Sequence, residues 1–271
     1  MSRTVVKSRI RHYTADGVVH REDTLAGEEP LEIRVGGTAM AVTMRTPGND
    51  IELVHGFLHA EGVISEASDV TLARYCDGVD AQGRNTYNVI DVQLSGGRSL
   101  AADRVRVVNG TSACGVCGTA AIEALEQRSG YPTPAGGMLA PSLILQLPEL
   151  MRSQQQQFFR TGGVHACGLL ETDGTFSMLR EDIGRHNAMD KVIGNALLAG
   201  RLPLADSVLV TSSRASFELV QKATLAGCAT LVAFSAPSSL AVELARGRNM
   251  TLIAFSRSTS FNVYSGAHRI S

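Results

Sequence analysis

Ser207-Val-Leu-Val-Thr211, Ala229-Thr-Leu-Val-Ala-Phe234 and Thr251-Leu-Ile-Ala-Phe255 are short apolar runs, and the segments between them, near Phe217 to Leu225 and near Ser239 to Ala245, carry helical spacing. Apolar strands separated by single helices predict a parallel sheet covered on both faces, so the fold class is α/β. Upstream, Val164 to Glu171 and Phe176 to Arg180 alternate around Asp173-Gly174, which predicts a hairpin, and a helix is expected near Asn187 to Leu198. Ligands of such sheets sit beyond the carboxyl ends of the strands. The polar turns Ser212-Ser213-Arg214, Ser235-Ala236-Pro237 and Ser256-Arg257-Ser258 are therefore expected on one rim. The Gln154 to Gln157 run is expected inside a helix that Pro148 opens and Gly162-Gly163 closes.

The first hundred or so residues read differently. Leu31 to Val35 and Ala39 to Met44 alternate around Gly36-Gly37, which predicts a hairpin, and Asn49 or Asp50 caps a helix that runs to Glu61 and stops at Gly62. Strands are expected at Tyr87 to Leu94 and Arg104 to Val108. The expectation is two domains: an N-terminal α+β domain over 1–108 and an α/β domain over 109–271.

With 25 Lys+Arg against 26 Asp+Glu, 44% hydrophobic and 19% charged residues, disorder, collagen and coiled coil are excluded. The formal net charge of -1 argues against non-specific binding to nucleic acid or to an anionic membrane. The N-terminal stretch alternates apolar and basic residues and has no apolar core of signal-peptide length. No apolar run reaches the roughly 18 residues that span a bilayer. A cytoplasmic protein is expected. Cys76, Cys114, Cys117, Cys167 and Cys228 are odd in number and sparse, which fits reduced thiols; Cys76 and Cys228 are expected to be packing residues.

The sharpest chemical feature is Thr111-Ser-Ala-Cys114-Gly-Val-Cys117-Gly118, a Cys-x-x-Cys loop running into a helix-forming segment. Unpaired N–H groups at a helix start stabilise a thiolate and make one cysteine a nucleophile near neutral pH. Packing and half of a zinc site are the alternatives. Zinc lacks further ligands here, His165 and Cys167 being the best left over, and the His-x-Glu and Pro-Cys-x-x-Cys of the nucleobase deaminases are absent. A thioredoxin-type pair remains a competitor. A second constellation, Arg180-Glu-Asp182-Ile-Gly-Arg185-His186-Asn187, offers Arg185 for phosphate and His186 for a proton; the alternative is a capped helix start with an ion pair such as Asp182 with Arg185. A third, Thr211-Ser-Ser213-Arg214 with the equivalent turn at Phe255 to Ser260, sets hydroxyls, backbone donors and arginines beyond strand ends, a recipe for holding phosphate without a standard nucleotide loop.

Together these segments resemble the FdhD family, the formate dehydrogenase accessory sulfurtransferases. The resemblance is carried by Glu29-Pro-Leu-Glu-Ile, Gly56-Phe-Leu-His-Ala-Glu-Gly62, Ser112-Ala-Cys-Gly-Val-Cys-Gly118, Thr161-Gly-Gly-Val-His165, Glu181 to Lys191 and Ser213 to Lys222. Ser212-Ser213-Arg214 stands where Ser-Gly-Arg is expected, and Gly36-Gly37 where Asn-Gly is usual. The resemblance implies a cytidine-deaminase-like C-terminal domain without deaminase chemistry, a smaller N-terminal α+β domain, and a homodimer. It implies a sulfurtransferase that takes sulfur from a cysteine desulfurase and passes it to the molybdenum bis(molybdopterin guanine dinucleotide) cofactor of formate dehydrogenase. By position, Cys114 becomes the persulfide carrier and Cys117 its partner. Phe255, Ser256, Arg257, Ser258, Thr259 and Ser260 become the contact to the cofactor or its guanine nucleotide, joined by Ser213, Arg214, Arg185 and His186 as the anion-binding groups. No metal and no permanently bound cofactor is expected. The alternative is a non-catalytic molybdenum-cofactor chaperone.

Overall fold

A computed structural model describes residues 4–76, 78, 86–98, 131 and 134–271. Strands β1 (Val5–Thr14) and β2 (Gly17–Ala26) form a separate two-stranded ribbon. A four-stranded sheet follows, in the order β4-β3-β6-β5, from β3 (Glu29–Val35), β4 (Thr38–Arg45), β5 (Val70–Tyr75) and β6 (Val89–Leu94). The β3–β4 hairpin closes through Gly36 and Gly37, both at positive φ (57° and 79°), the backbone that a tight two-residue turn requires. Helix α1 (Asp50–Ala60) lays Leu53, Val54 and Leu58 on Leu31, Ile33, Ile90 and Val92 of that sheet.

The third sheet has six strands in the order β12-β11-β10-β9-β7-β8. The predicted hairpin is β7 (His165–Leu170) with β8 (Phe176–Asp182), and the three apolar runs are β9 (Val208–Thr211), β10 (Thr230–Ala233) and β11 (Thr251–Arg257), mutually parallel. The sheet is mixed rather than parallel throughout, because β7 and β12 (Ser260–Ser265) run against their neighbours. Helices lie on both faces, as the apolar strands require. Helices α4 (Arg185–Leu198), α5 (Phe217–Leu225) and α6 (Ser239–Gly247) bury one side with Leu169, Leu209 and Leu231. Helix α2 (Pro141–Gln154) covers the other with Ile144, Leu147 and Met151 against Val210, Val232 and Ile253.

Three expectations are corrected. Pro141, not Pro148, opens α2, since its missing N–H falls among those that have no helical partner; Pro148 lies inside the helix. The glutamine run straddles a break at Gln155, after which α3 (Gln156–Thr161) ends on Gly162 at positive φ. The turn after β11, expected as the equivalent of the one after β9, is not built alike: the turn after β9 leads into the helix Phe217–Leu225 and this one into the β11–β12 hairpin, with Arg257 paired to Ser260. Strand β5 was not anticipated: its burial alternates weakly at the sheet edge. Arg104 to Val108 and the boundary near residue 108 lie outside the described residues.

The two sheets are joined through α1 and α4. A methyl group on Gly56 would overlap the Asp190 backbone, and one on Gly194 would overlap that of Glu52, so the two glycines permit direct backbone contact. Glu52 accepts from Arg180 (2.6 and 2.8 Å) and Asn195 (2.8 Å) beside that contact.

Candidate functional site

Strands β8, β9, β10 and β11 end on one edge of the six-stranded sheet, where β7 begins, because β7 is antiparallel to both β8 and β9 while β9, β10 and β11 are parallel. The segments beyond these ends are stitched together by backbone hydrogen bonds. Ser212 N donates to Ala166 O (3.0 Å), Ala215 N to Ala236 O (3.1 Å), Ser235 N to Ser213 O (3.3 Å) and Phe255 N to Ser235 O (3.2 Å). Ala166 N in turn donates to Ser212 Oγ (2.9 Å). The three polar turns thus share one rim with the start of α4.

The loop into α4 is fixed from the other sheet. Asp182, fully buried at the end of β8, accepts from Lys191 Nζ (2.7 Å), Thr46 N (3.2 Å), Gly184 N (2.8 Å) and Asn187 Nδ2 (3.1 Å). Lys191 also donates to Thr46 O (2.9 Å) and Asn187 to Met44 O (2.7 Å). The ion pair of Asp182 is therefore with Lys191, one helical turn and more into α4, and not with Arg185. Burial pushes the Asp182 carboxyl up, and Lys191 pulls against it.

Arg185 and His186 open α4 behind Gly184. Arg185 Nε is buried and has no hydrogen-bond partner among the described residues. His186 Nε2 lies 3.5 Å from Ser216 Oγ and 3.8 Å from Glu218 Oε2. The neighbouring imidazole of His186 draws the Glu218 carboxyl down to about 2. His165, at the start of β7, is lowered by burial and then by the positive charges of Arg185 and His186. Behind His186, Asp190 is buried and pairs with Lys222 of α5 (2.7 and 2.9 Å).

The remaining predicted residues divide by where their polar atoms go. Arg214, Arg257, Ser258, Thr259 and Ser260 are exposed, Ser258 and Thr259 forming the tight β11–β12 turn. Ser213 is buried, its hydroxyl sharing a bond with Thr211 Oγ1 (3.0 Å) and donating to Arg214 O (3.0 Å). Ser256 is buried and donates to Ile144 O of α2 (3.3 Å). Phe255 is half-buried with φ 51°, a left-handed backbone that a bulky residue holds only where its surroundings force it. Sequence reasoning missed Ser216 and Glu218 as partners of His186; a serine and a glutamate at the start of α5 were the available signal. It also missed the two buried lysine–aspartate pairs.

Cys114 and Cys117 lie outside the described residues. Of the described cysteines, Cys167 and Cys228 are buried in the apolar layer beneath α4 and α5. Burial pushes both thiols up, Cys228 to about 11, and Cys228 donates to Ser207 O and Thr230 O. Cys76 is half-buried. Among the described residues no group of three His, Cys, Asp or Glu side chains is placed to hold a metal, and no helix is long and apolar enough to cross a membrane.

Comparison with known proteins concerns the chain as a whole. The chain is 54% identical over 269 residues to a sulfur carrier protein FdhD of Nocardia farcinica, covering 99% of this chain and 95% of the relative. It is 52% identical to a sulfur carrier protein FdhD of Mycobacterium tuberculosis, covering 97% of each. A crystal structure of a protein of Desulfotalea psychrophila, described as a formate dehydrogenase accessory protein, superposes with a TM-score of 0.77 over 99% of this chain and all of that one, at 24% identity, and so shares the fold. The model of the FdhD/NarQ family matches residues 26–271, and the chain belongs to that family.

Proposed function

We propose that this protein is a sulfur carrier for formate dehydrogenase: it accepts sulfur from a cysteine desulfurase as a persulfide on Cys114 and transfers it to a molybdenum bis(molybdopterin guanine dinucleotide) cofactor. The observation that carries the reading is identity above 50%, over nearly the whole chain, to proteins named as sulfur carriers. Further support comes by elimination. A carrier needs an accessible thiolate, and the Cys167 and Cys228 thiols are buried and pushed up. Cys76 is half-buried and has no second cysteine beside it in sequence, whereas Cys114 and Cys117 are spaced to form and resolve a persulfide.

The steps balance without an outside oxidant. The Cys114 thiolate attacks the sulfane sulfur of the desulfurase persulfide, forming Cys114-S-SH and releasing the desulfurase cysteine thiolate. At the acceptor, the Cys117 thiolate attacks the inner sulfur, a Cys114–Cys117 disulfide forms, and the sulfane sulfur leaves as sulfide, reduced by the two electrons the thiols give up. A cellular dithiol then reduces the disulfide. The acceptor is a multiply charged phosphate ester. Exposed Arg214 and Arg257, with Arg185, whose Nε has no partner among the described residues, fit its phosphates, and Phe255 to Ser260 fit its guanine end. His186, held by Ser216 and Glu218, is placed to give or take a proton there. This reading takes the C-terminal part as cytidine-deaminase-like, the N-terminal part as a smaller domain, and the assembly as a cytoplasmic homodimer.

The test is complementation. In a bacterium lacking its own carrier, the wild-type protein is expected to restore formate dehydrogenase activity and Cys114→Ala is not; equal restoration by both, at equal protein levels, overturns the reading.

A further inference from the structure

A cavity of about 240 Å³ lies apart from the polar turns of the rim, lined by Thr4, Pro47, Gly48, Asp50, Tyr75 and Tyr87. Tyr75 ends β5 and Tyr87 stands just before β6, and their rings meet edge to face at 88° with centroids 5.5 Å apart. The two residues are 37% and 40% exposed, so the cavity opens to solvent. Its volume falls below the roughly 300–1,000 Å³ that drug-sized ligands occupy, so it fits one side chain and not a nucleotide.

Beneath the tyrosines the charges are organised by one buried residue. Arg45 donates to both Asp50 oxygens (3.1 and 2.9 Å), to Glu29 O (3.4 Å), to Tyr87 O (3.2 Å) and to Asn88 Oδ1 (3.3 Å). Its Nη1 also lies 3.6 Å from the Glu29 carboxylate, and Tyr75 Oη donates to Asp50 (2.9 Å). Arg45 itself does not line the cavity. Two carboxylates against one guanidinium leave the floor one negative charge in excess, and Asp50 uses three of about four acceptor sites. Tyr87 holds φ 54°, strained for a bulky side chain, while Arg45 grips its carbonyl. Backbone strain of this kind concentrates at ligand clamps.

We propose that this cavity takes the arginine side chain of a protein partner, its guanidinium resting against Tyr75 and Tyr87 above the Asp50 carboxylate. Aromatic walls at right angles over a floor of net negative charge favour a cation. Arginine is favoured over lysine because a planar guanidinium stacks on a ring and keeps its N–H groups for acceptors. The position argues for a protein. Pro47 and Gly48 follow Thr46, whose N–H donates to Asp182 at the rim end of β8, so two residues, about 7 Å of chain, separate that anchor from the cavity wall. A docked protein covers about 800 Å² on each partner, a patch about 30 Å across, and one seated on the rim reaches this cavity. The inference goes beyond the sulfur reading and does not rest on it.

NMR titration of the full chain tests the site with three probes: N-acetyl-arginine amide, N-acetyl-norleucine amide and tetramethylammonium. The arginine probe is expected to bind with a dissociation constant of millimolar order and to shift the amides of Thr4, Gly48, Asp50, Tyr75 and Tyr87. It should bind about fivefold or more tightly than the norleucine probe. Tyr87→Phe should bind as the wild type does. Tyr87→Asn removes the ring yet suits the left-handed backbone, so it is expected to melt at or above the wild-type temperature while losing about fivefold or more in affinity. A tyrosine with a structural role alone would not give that combination. Should Tyr87→Asn misfold, Tyr75→Leu read in the same series replaces it. Norleucine bound as tightly as arginine overturns the cation, and tetramethylammonium bound more tightly overturns the arginine. No shift at these amides, or unchanged affinity after loss of the ring, overturns the site. Persulfide formation on Cys114 is read separately and stands or falls on its own.

Discussion

His186 sits where two helices converge: it opens α4, and at the head of α5 it lies 3.5 Å from the Ser216 hydroxyl and faces Glu218. Two exposed arginines flank the same rim, and a guanidinium–phosphate hydrogen bond contributes about 1.5–3 kcal/mol. Arg214→Ala and Arg257→Ala are therefore each expected to weaken binding of guanosine diphosphate, the probe for the guanine end, by about tenfold or more in isothermal titration. Unchanged affinity in both would remove the phosphate role from this rim. A second residue-scale prediction concerns pH. Burial holds the His59 imidazole down to about 4 in the folded chain, and His55 and His165 are lowered by burial as well. The ordinary value is about 6.5, so below it the unfolded chain takes up protons that the folded chain refuses. Stability is thus expected to fall as pH drops from about 6.5 towards 4. In thermal melts His59→Gln should make that decline shallower, and an identical slope would contradict the assignment.

Helices α1 and α4 hold the molecule together, and their contact tolerates no side chain at two positions. Gly56→Ala or Gly194→Ala would force backbone apart and is expected to cost about 3 kcal/mol, the upper range of overpacking. In a chain of this size that lowers Tm by about 5 °C. The buried pair at the entry to α4 makes a separate prediction. Lys191→Met leaves the buried Asp182 without its cation, which costs about 3–5 kcal/mol in chemical denaturation, and adding Asp182→Asn should recover part of it. No recovery would mean that the hydrogen bonds of Asp182 to Thr46 and Gly184 outweigh its pairing. These elements also show what a sequence reveals. The β9, β10 and β11 strands and their helices were legible because apolar runs buried on both faces have few other readings. The Pro141 start of α2 was not, because Pro148 offers the same signal seven residues later and only packing of Ile144 against the sheet decides. The β11–β12 hairpin was missed because Ser258 and Thr259 suit a turn and a helix cap equally.

At the scale of the whole molecule, the N-terminal sheet serves the rim at a distance. Thr43, Met44 and Thr46 at the end of β4 hold Asn187, Asp182 and Lys191, and so set the start of α4 that presents Arg185 and His186. The convergence of polar turns on one rim followed from strand order and was legible. The pairs Asp182–Lys191 and Asp190–Lys222 were not, since no local pattern links residues that meet only after α4 has packed on β8 and α5. Cys167 and Cys228 fill the core, and on the proposed reading sulfur chemistry falls to Cys114 and Cys117. Intact-protein mass spectrometry after incubation with a cysteine desulfurase and cysteine tests this most directly. The account predicts a gain of sulfur, labile to reductant, on the wild type and on Cys167→Ala and Cys228→Ala, and none on Cys114→Ala. No added sulfur on the wild type beside an active desulfurase, or full loading of Cys114→Ala, would contradict it.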